Sequence, residues 1–251
     1  MKWRRWSPPP RRRYRLSLVI PSSIVRTEPT LQLKSLKVSL IARAAGIYRV
    51  DEVVVYRDPD SSSRDLAIVR DILEYLVTPP YIRKLVIPIK RTLLGVGVVP
   101  PLKVPSHVVS QPPSPGEYRC GLVVKRGRRL FVDVGLRALV RLEQVKGVKP
   151  GDLVVVRLDY RTRGLVAVID KPPFYWGFKV VTASSLGEAL KRVKGLKVAT
   201  SRLGADVRPL LGELSRRIKE VSWVALVFGS PYKGLYEIAE AEGLHLEGLV
   251  D

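Results

Sequence analysis

Between Pro112 and Pro173 the chain changes texture, and that change limits the folds open to it more than any other feature. On either side, apolar β-branched runs alternate with helical repeats. In between stand five short β runs, Gly121 to Lys125, Leu130 to Val134, Ala138 to Leu142, Leu153 to Leu158 and Leu165 to Ile169. Turns at Gly127, Gly135, Gly147 with Pro150-Gly151, and Gly164 separate them. Five strands in so short a space fit a small barrel of the OB type, whereas strands alternating with helices predict a parallel α/β sheet. The expected organisation is a basic disordered arm at 1–14, the first half of an α/β domain at 15–95 and a Pro- and Gly-rich linker at 96–116. An inserted OB-like barrel at 117–171 and the second half of the α/β domain at 172–251 complete it.

Within the α/β parts, Arg15 to Ile20 reads as a strand broken by Pro21-Ser22-Ser23. No G-x-G-x-x-G follows it, which disfavours a classical dinucleotide site. Leu33, Leu36, Leu40, Ile41, Ala44, Ala45 and Tyr48 recur at helical spacing over 30–48 and are expected to face the core, with Lys34, Lys37 and Arg43 elsewhere on the wheel. Val53 to Tyr56 reads as a strand entered by Asp51-Glu52, a carboxylate pair expected to be structural. Ser61 to Thr78 reads as a helix ended by Pro79-Pro80, with a short helical piece at Tyr81 to Lys84.

In the second half, strands are expected at Phe178 to Ala183, Leu196 to Thr200 and Val221 to Phe228, with helices at Ser184 to Val193 and Val207 to Lys219. Each strand stops at a small polar turn: Thr182-Ala183-Ser184, Thr200 to Gly204, and Gly229-Ser230-Pro231. Ligands of open α/β sheets sit at the carboxyl ends of strands, so these turns are expected to converge on one ligand held by backbone groups. Gly229 and Gly234 allow close approach, and Pro231 stiffens the last turn.

Charge narrows the partner. With 44 Lys and Arg against 23 Asp and Glu, the net charge of +21 favours a polyanionic partner such as nucleic acid, with a membrane surface the weaker option. The first 15 residues carry seven basic side chains and no acidic one, with Trp3, Trp6 and Tyr14 interleaved for base stacking. The candidate RNA contacts are Arg11, Arg12, Arg13, Arg43, Arg83, Lys84, Lys125, Arg126, Arg128 and Arg129. No apolar run is long enough to span a membrane and no signal peptide is visible, so a cytoplasmic protein is expected. A single cysteine, Cys120, and two distant histidines, His107 and His245, fit neither a disulfide framework nor a zinc site, and no metal is expected. The absence of asparagine, with one cysteine and one methionine, suggests a thermophilic source.

A wider resemblance joins these pieces. LSLVIPSS, IARAAGIYRVDEVVVY at 41–56, TPPYIRK at 78–84, VGVVPPL at 96–102, PSH at 105–107, YWGF at 175–178, TSRLGADV at 200–207 and VFGSPYKGL at 227–235 together resemble the archaeal and eukaryotic branch of SPOUT RNA methyltransferases with an OB-like insertion. The resemblance implies an S-adenosylmethionine-dependent enzyme acting on ribosomal or other structured RNA. It also implies a C-terminal trefoil knot that binds cofactor and a homodimer. By that resemblance Thr200, Ser201 and Gly204 match the first cofactor turn, and Phe228, Gly229, Ser230 and Gly234 the second. Thr182, Ala183 and Pro231 join them as candidates, and Arg202 is the candidate that favours an anion on the RNA nucleophile. The arginine stands one residue further from the glycine than in relatives, with Leu203 between. Relatives continue past Leu249-Val250-Asp251 into a Pro- and Gly-rich turn and a final helix, so an incomplete knot is expected here. The competing reading is a non-catalytic RNA-binding or ribosome-assembly protein that retains the scaffold.

Overall fold

The structure is a computed structural model and describes residues 7–143, 147–162 and 164–251. Along the chain run β1 (Arg15–Pro21), α1 (Leu31–Ile47), β2 (Glu52–Tyr56), α2 (Ser63–Val77) and α3 (Pro80–Val86). Then come five strands, β3 (Glu117–Arg126), β4 (Arg129–Asp133), β5 (Val140–Leu142), β6 (Leu153–Arg161) and β7 (Gly164–Ile169). The chain closes with β8 (Lys179–Ala183), α4 (Leu186–Arg192), β9 (Leu196–Ala199), α5 (Val207–Glu220), β10 (Trp223–Val227) and α6 (Leu235–Ala241). It folds as two compact units. One takes Arg12–Val77, Lys90–Leu102 and Gly177–Asp251; the other takes the chain up to Arg11, Thr78–Ile89 and Lys103–Trp176.

In the first unit a parallel sheet has the order β8-β2-β1-β10-β9. Its central strand, β1, pairs Val19 with Val54 on one side and with Val227 on the other. Parallel neighbours need a crossover, and the helices between the strands supply it. Both faces are therefore covered, and every residue of β2 is buried. Val54 and Tyr56 join a core of Leu186, Leu190, Leu235, Ile238 and Leu246, while Val53 and Val55 point the other way. Asp51 and Glu52 are structural: Asp51 Oδ2 accepts from the Leu16 N–H at 2.9 Å, and Glu52 pairs with Arg192 at 2.7 Å.

Helix α1 forms where its periodicity predicts, capped by the Thr30 hydroxyl, but buries a different face. Ser35, Val38, Ser39, Ala42 and Ala45 face inward, while Leu33, Leu36, Leu40 and Tyr48 are exposed. Small residues win this face because they let α1 lie close to its neighbours. At Gly95 an added Cβ would stand 2.6 Å from the Leu31 carbonyl oxygen.

The second unit contains a closed barrel ordered β3-β4-β5-β7-β6, antiparallel except for the β5–β7 pair. Val123, Val132, Val140, Val156 and Leu158 fill it. A fully buried Arg119 ties the barrel to the segment before it, pairing with Glu117 at 2.7 Å and donating to the Ser110 and Val134 carbonyls at 2.6 and 3.2 Å. The TPPYIRK segment, expected to belong to the α/β half, falls in this unit, where the Tyr81 hydroxyl accepts from the Cys120 N–H at 2.9 Å. Of the arm, Trp3 and Trp6 lie outside the described residues. Pro10 bridges Phe174, and the Tyr175 N–H donates to the Pro9 carbonyl at 2.9 Å.

Candidate active site

Because the sheet is wholly parallel, all its strands deliver their carboxyl ends to one edge. β9 and β10 are neighbours there, with Ala199 opposite Val227. The turns that follow are stitched together: the Thr200 N–H and hydroxyl both donate to the Val227 carbonyl at 2.9 Å, and the Phe228 N–H donates to Val19 at 2.9 Å. From the far side of β1, the Tyr56 hydroxyl donates to the Phe228 carbonyl at 2.8 Å. Burial, with Asp58 and Glu242 adding to it, pushes the Tyr56 phenol far above its ordinary value, so it stays protonated and donates.

The second turn is held from within. Ser230 Oγ accepts from the N–H groups of Tyr232 and Lys233 at 3.1 and 2.8 Å, and the Ser230 N–H returns to the Lys233 carbonyl at 2.9 Å. Lys233 reaches Asp60 at 3.1 Å, and Glu237 accepts from the Gly234 N–H at 2.7 Å. A Cβ on Gly229 would stand 3.1 Å from the Lys233 carbonyl oxygen, so a side chain there would require the turn to shift by a few tenths of an ångström. In the first turn the Ser201 hydroxyl and carbonyl accept from Leu203 and Gly204 at 3.1 and 3.3 Å.

The structure thus brings Thr200, Ser201 and Gly204 beside Phe228, Gly229, Ser230, Pro231 and Gly234. Thr182 and Ala183 stand apart, since β2 and β1 separate β8 from β10, which at ordinary strand spacing is about 14 Å. Three turns do share one edge, but only two are adjacent. A bound cofactor suits this pair of turns: among the described residues the N–H groups of Ser201, Arg202 and Gly229 find no hydrogen-bond acceptor, and Phe228, Ser201 and Arg202 are exposed and not packed into a plug. These groups can hold a polar ligand through the backbone, while Phe228 offers an apolar wall.

The candidate RNA contacts divide. Lys125, Arg126, Arg128 and Arg129 form one exposed hairpin tip, in which Arg126 lies opposite Arg129 across a turn at Gly127. Like charges facing each other across strands oppose folding, so the tip is built for something other than stability. Arg13, Arg43 and Lys84 are also exposed. Others already hold partners: Arg11 donates to the Phe174 carbonyl, Arg12 to the Tyr48 carbonyl and Arg83 to the Thr78 carbonyl. Tyr56 and the Asp58–Asp60 segment escaped the sequence reading because a buried strand tyrosine looks like core.

No helix among the described residues is long and apolar enough to cross a membrane. A family profile described as "Putative RNA methyltransferase" matches residues 15–250. An uncharacterized protein of Haloarcula marismortui is 35% identical over 231 residues, covering 89% of this chain and 81% of the relative. The 28S rRNA (uridine-N(3))-methyltransferase of Homo sapiens is 30% identical over 268 residues, covering 92% of this chain and 68% of its own. That of Drosophila melanogaster is 29% identical over 254 residues, covering 85% and 50%. A match running from the start of β1 almost to the last residue leaves neither the sheet nor the barrel outside it, and the chain belongs to this family of RNA methyltransferases.

Proposed function

We propose that this chain transfers the methyl group of S-adenosylmethionine to RNA, with a uridine N3 as acceptor, on a SPOUT-type domain carrying an OB-type insertion. The observation that carries the cofactor assignment is the stitched pair of turns after β9 and β10, with exposed side chains and unengaged N–H groups. When bound, S-adenosylmethionine supplies an electrophilic methyl on a sulfonium. Thr200, Ser201, Gly204 and the 228–234 turn hold and orient it, and such positioning accounts for much of the rate of an in-line displacement. The uridine N3 proton passes to solvent water before methyl transfer, and the exposed Arg202 guanidinium favours the N3 anion that remains. Thr182 and Ala183 are assigned only to the outer margin of the site.

The barrel reading is supported by its strand order, in which the third strand runs parallel to the fifth. A homodimer is supported by α5, none of whose residues is buried although Val207, Leu210, Leu211, Leu214 and Ile218 form one stripe. Calorimetric titration with S-adenosylhomocysteine, followed by transfer of tritiated methyl to ribosomal RNA fragments, tests the proposal. One site per chain and label at N3 of uridine are expected. Absence of heat together with an unshifted melting temperature would remove the cofactor assignment.

A further inference from the structure

A second site lies in the α/β unit, where Lys34 of α1, Arg64 of α2 and Arg91 of the short helical turn after Lys90 line one cavity of about 580 Å³. Nearby cations are neutralised: Lys37 pairs with Glu28 at 3.2 Å, and Arg70 and Lys90 each reach Asp71 at 2.9 Å. Among the described residues the side chains of Lys34, Arg64 and Arg91 make no ion pair or hydrogen bond. The cavity's one carboxylate, Asp65, is already engaged by the Ser62 N–H and hydroxyl at 2.9 and 2.7 Å. Thr92, also on the wall, donates to Asp71. Three separate elements therefore line one hollow with three cations against a single carboxylate, an excess of positive charge beside cations that are already paired. Lys34 and Arg64 stand in the first turns of their helices, so the parallel topology puts them towards the same sheet edge as the two methyl-donor turns.

We infer that this cavity is a phosphate-binding cleft, seating phosphodiester groups of the RNA whose base is presented to the cofactor turns. The choice of RNA as ligand rests on the function proposed above. The ligand chemistry is phosphate oxygen, which a free oligophosphate also offers, and Arg64 and Arg91 supply forked donors suited to it.

The test uses the full chain and two double variants. R64Q/R91Q removes two cations from the cleft. K194Q/K219Q removes the same charge at exposed positions elsewhere in the unit. Anisotropy of a labelled single-stranded RNA is followed over a range of salt, and tripolyphosphate is titrated by calorimetry. For R64Q/R91Q the slope of log K against log salt should become shallower by about 1.4, with affinity down about 25-fold at 0.1 M salt, while the control changes far less. Loss of tripolyphosphate binding with an unchanged RNA slope would keep the cleft but assign it to a free oligophosphate. Variants matching the unaltered chain in both assays, at equal melting temperature, would overturn the cleft. If the unaltered chain binds no RNA, the RNA reading fails, and the tripolyphosphate titration alone decides whether the cleft exists.

Discussion

Tyr56 shows how one side chain can govern a site it does not line. Its ring fills the core beneath the sheet edge and its hydroxyl fixes the carbonyl that opens the 228–234 turn. Tyr56→Phe keeps the ring and leaves that carbonyl without its donor, a loss of about 1 kcal/mol. We expect about fivefold weaker binding of S-adenosylhomocysteine by calorimetry; an unchanged affinity would show that the turn holds itself. Asp71 carries a different consequence. Burial alone would raise its carboxyl, but hydrogen bonds from Lys90, Thr92 and Arg70 outweigh burial and hold it below the ordinary aspartate value. A lowered folded value contributes stability above the ordinary pKa of about 4, and that stability is lost as the pH falls below it. Asp71→Asn should therefore destabilise by about 2 kcal/mol at pH 7 and by much less at pH 3, measured by urea unfolding. Equal losses at both pH values would contradict the charge assignment.

Among the elements, strands were the most legible. Runs such as VVVY at 53–56 and the last strand, 223–227, are β-branched, apolar and bounded by turn residues, so burial on both faces could be read directly. Helix existence was legible too, but not which face packs. In α1 the leucine stripe looked like core, yet serine and alanine occupy the interior because close approach rewards small side chains. Adjacency of turns was hidden for another reason. Sequence order does not give the order of strands in space, and with β1 in the middle the β8 turn goes to the far side from β9. In α5 the hydrophobic period is strong while none of the helix's residues is buried, so the stripe is assigned to a second copy. Leu211→Glu should convert the proposed dimer to monomer in sedimentation at micromolar concentration, with the far-ultraviolet spectrum preserved. A variant that sediments as the unaltered chain does would exclude α5 from the interface.

At the scale of the whole molecule, charge and topology do separate work. The excess of cations favours a polyanionic partner before any fold is known, and the described structure sets the hairpin tip at 125–129, the exposed Arg13, Arg43 and Lys84, and the cavity-lining trio at 34, 64 and 91 apart from cations already engaged. Which were free could not be read from composition, because a neutralising carboxylate such as Asp71 sits 19 positions from Lys90. Topology has a consequence for the chain as it is made. Val19 pairs in register with Val227, so the middle of the sheet lacks one flank until roughly 200 further residues have left the ribosome. The five barrel strands, encoded well before that point, can close first. The nascent protein can therefore pass through a stage in which its barrel is complete while the sheet edge that carries the turns after β9 and β10 does not yet exist.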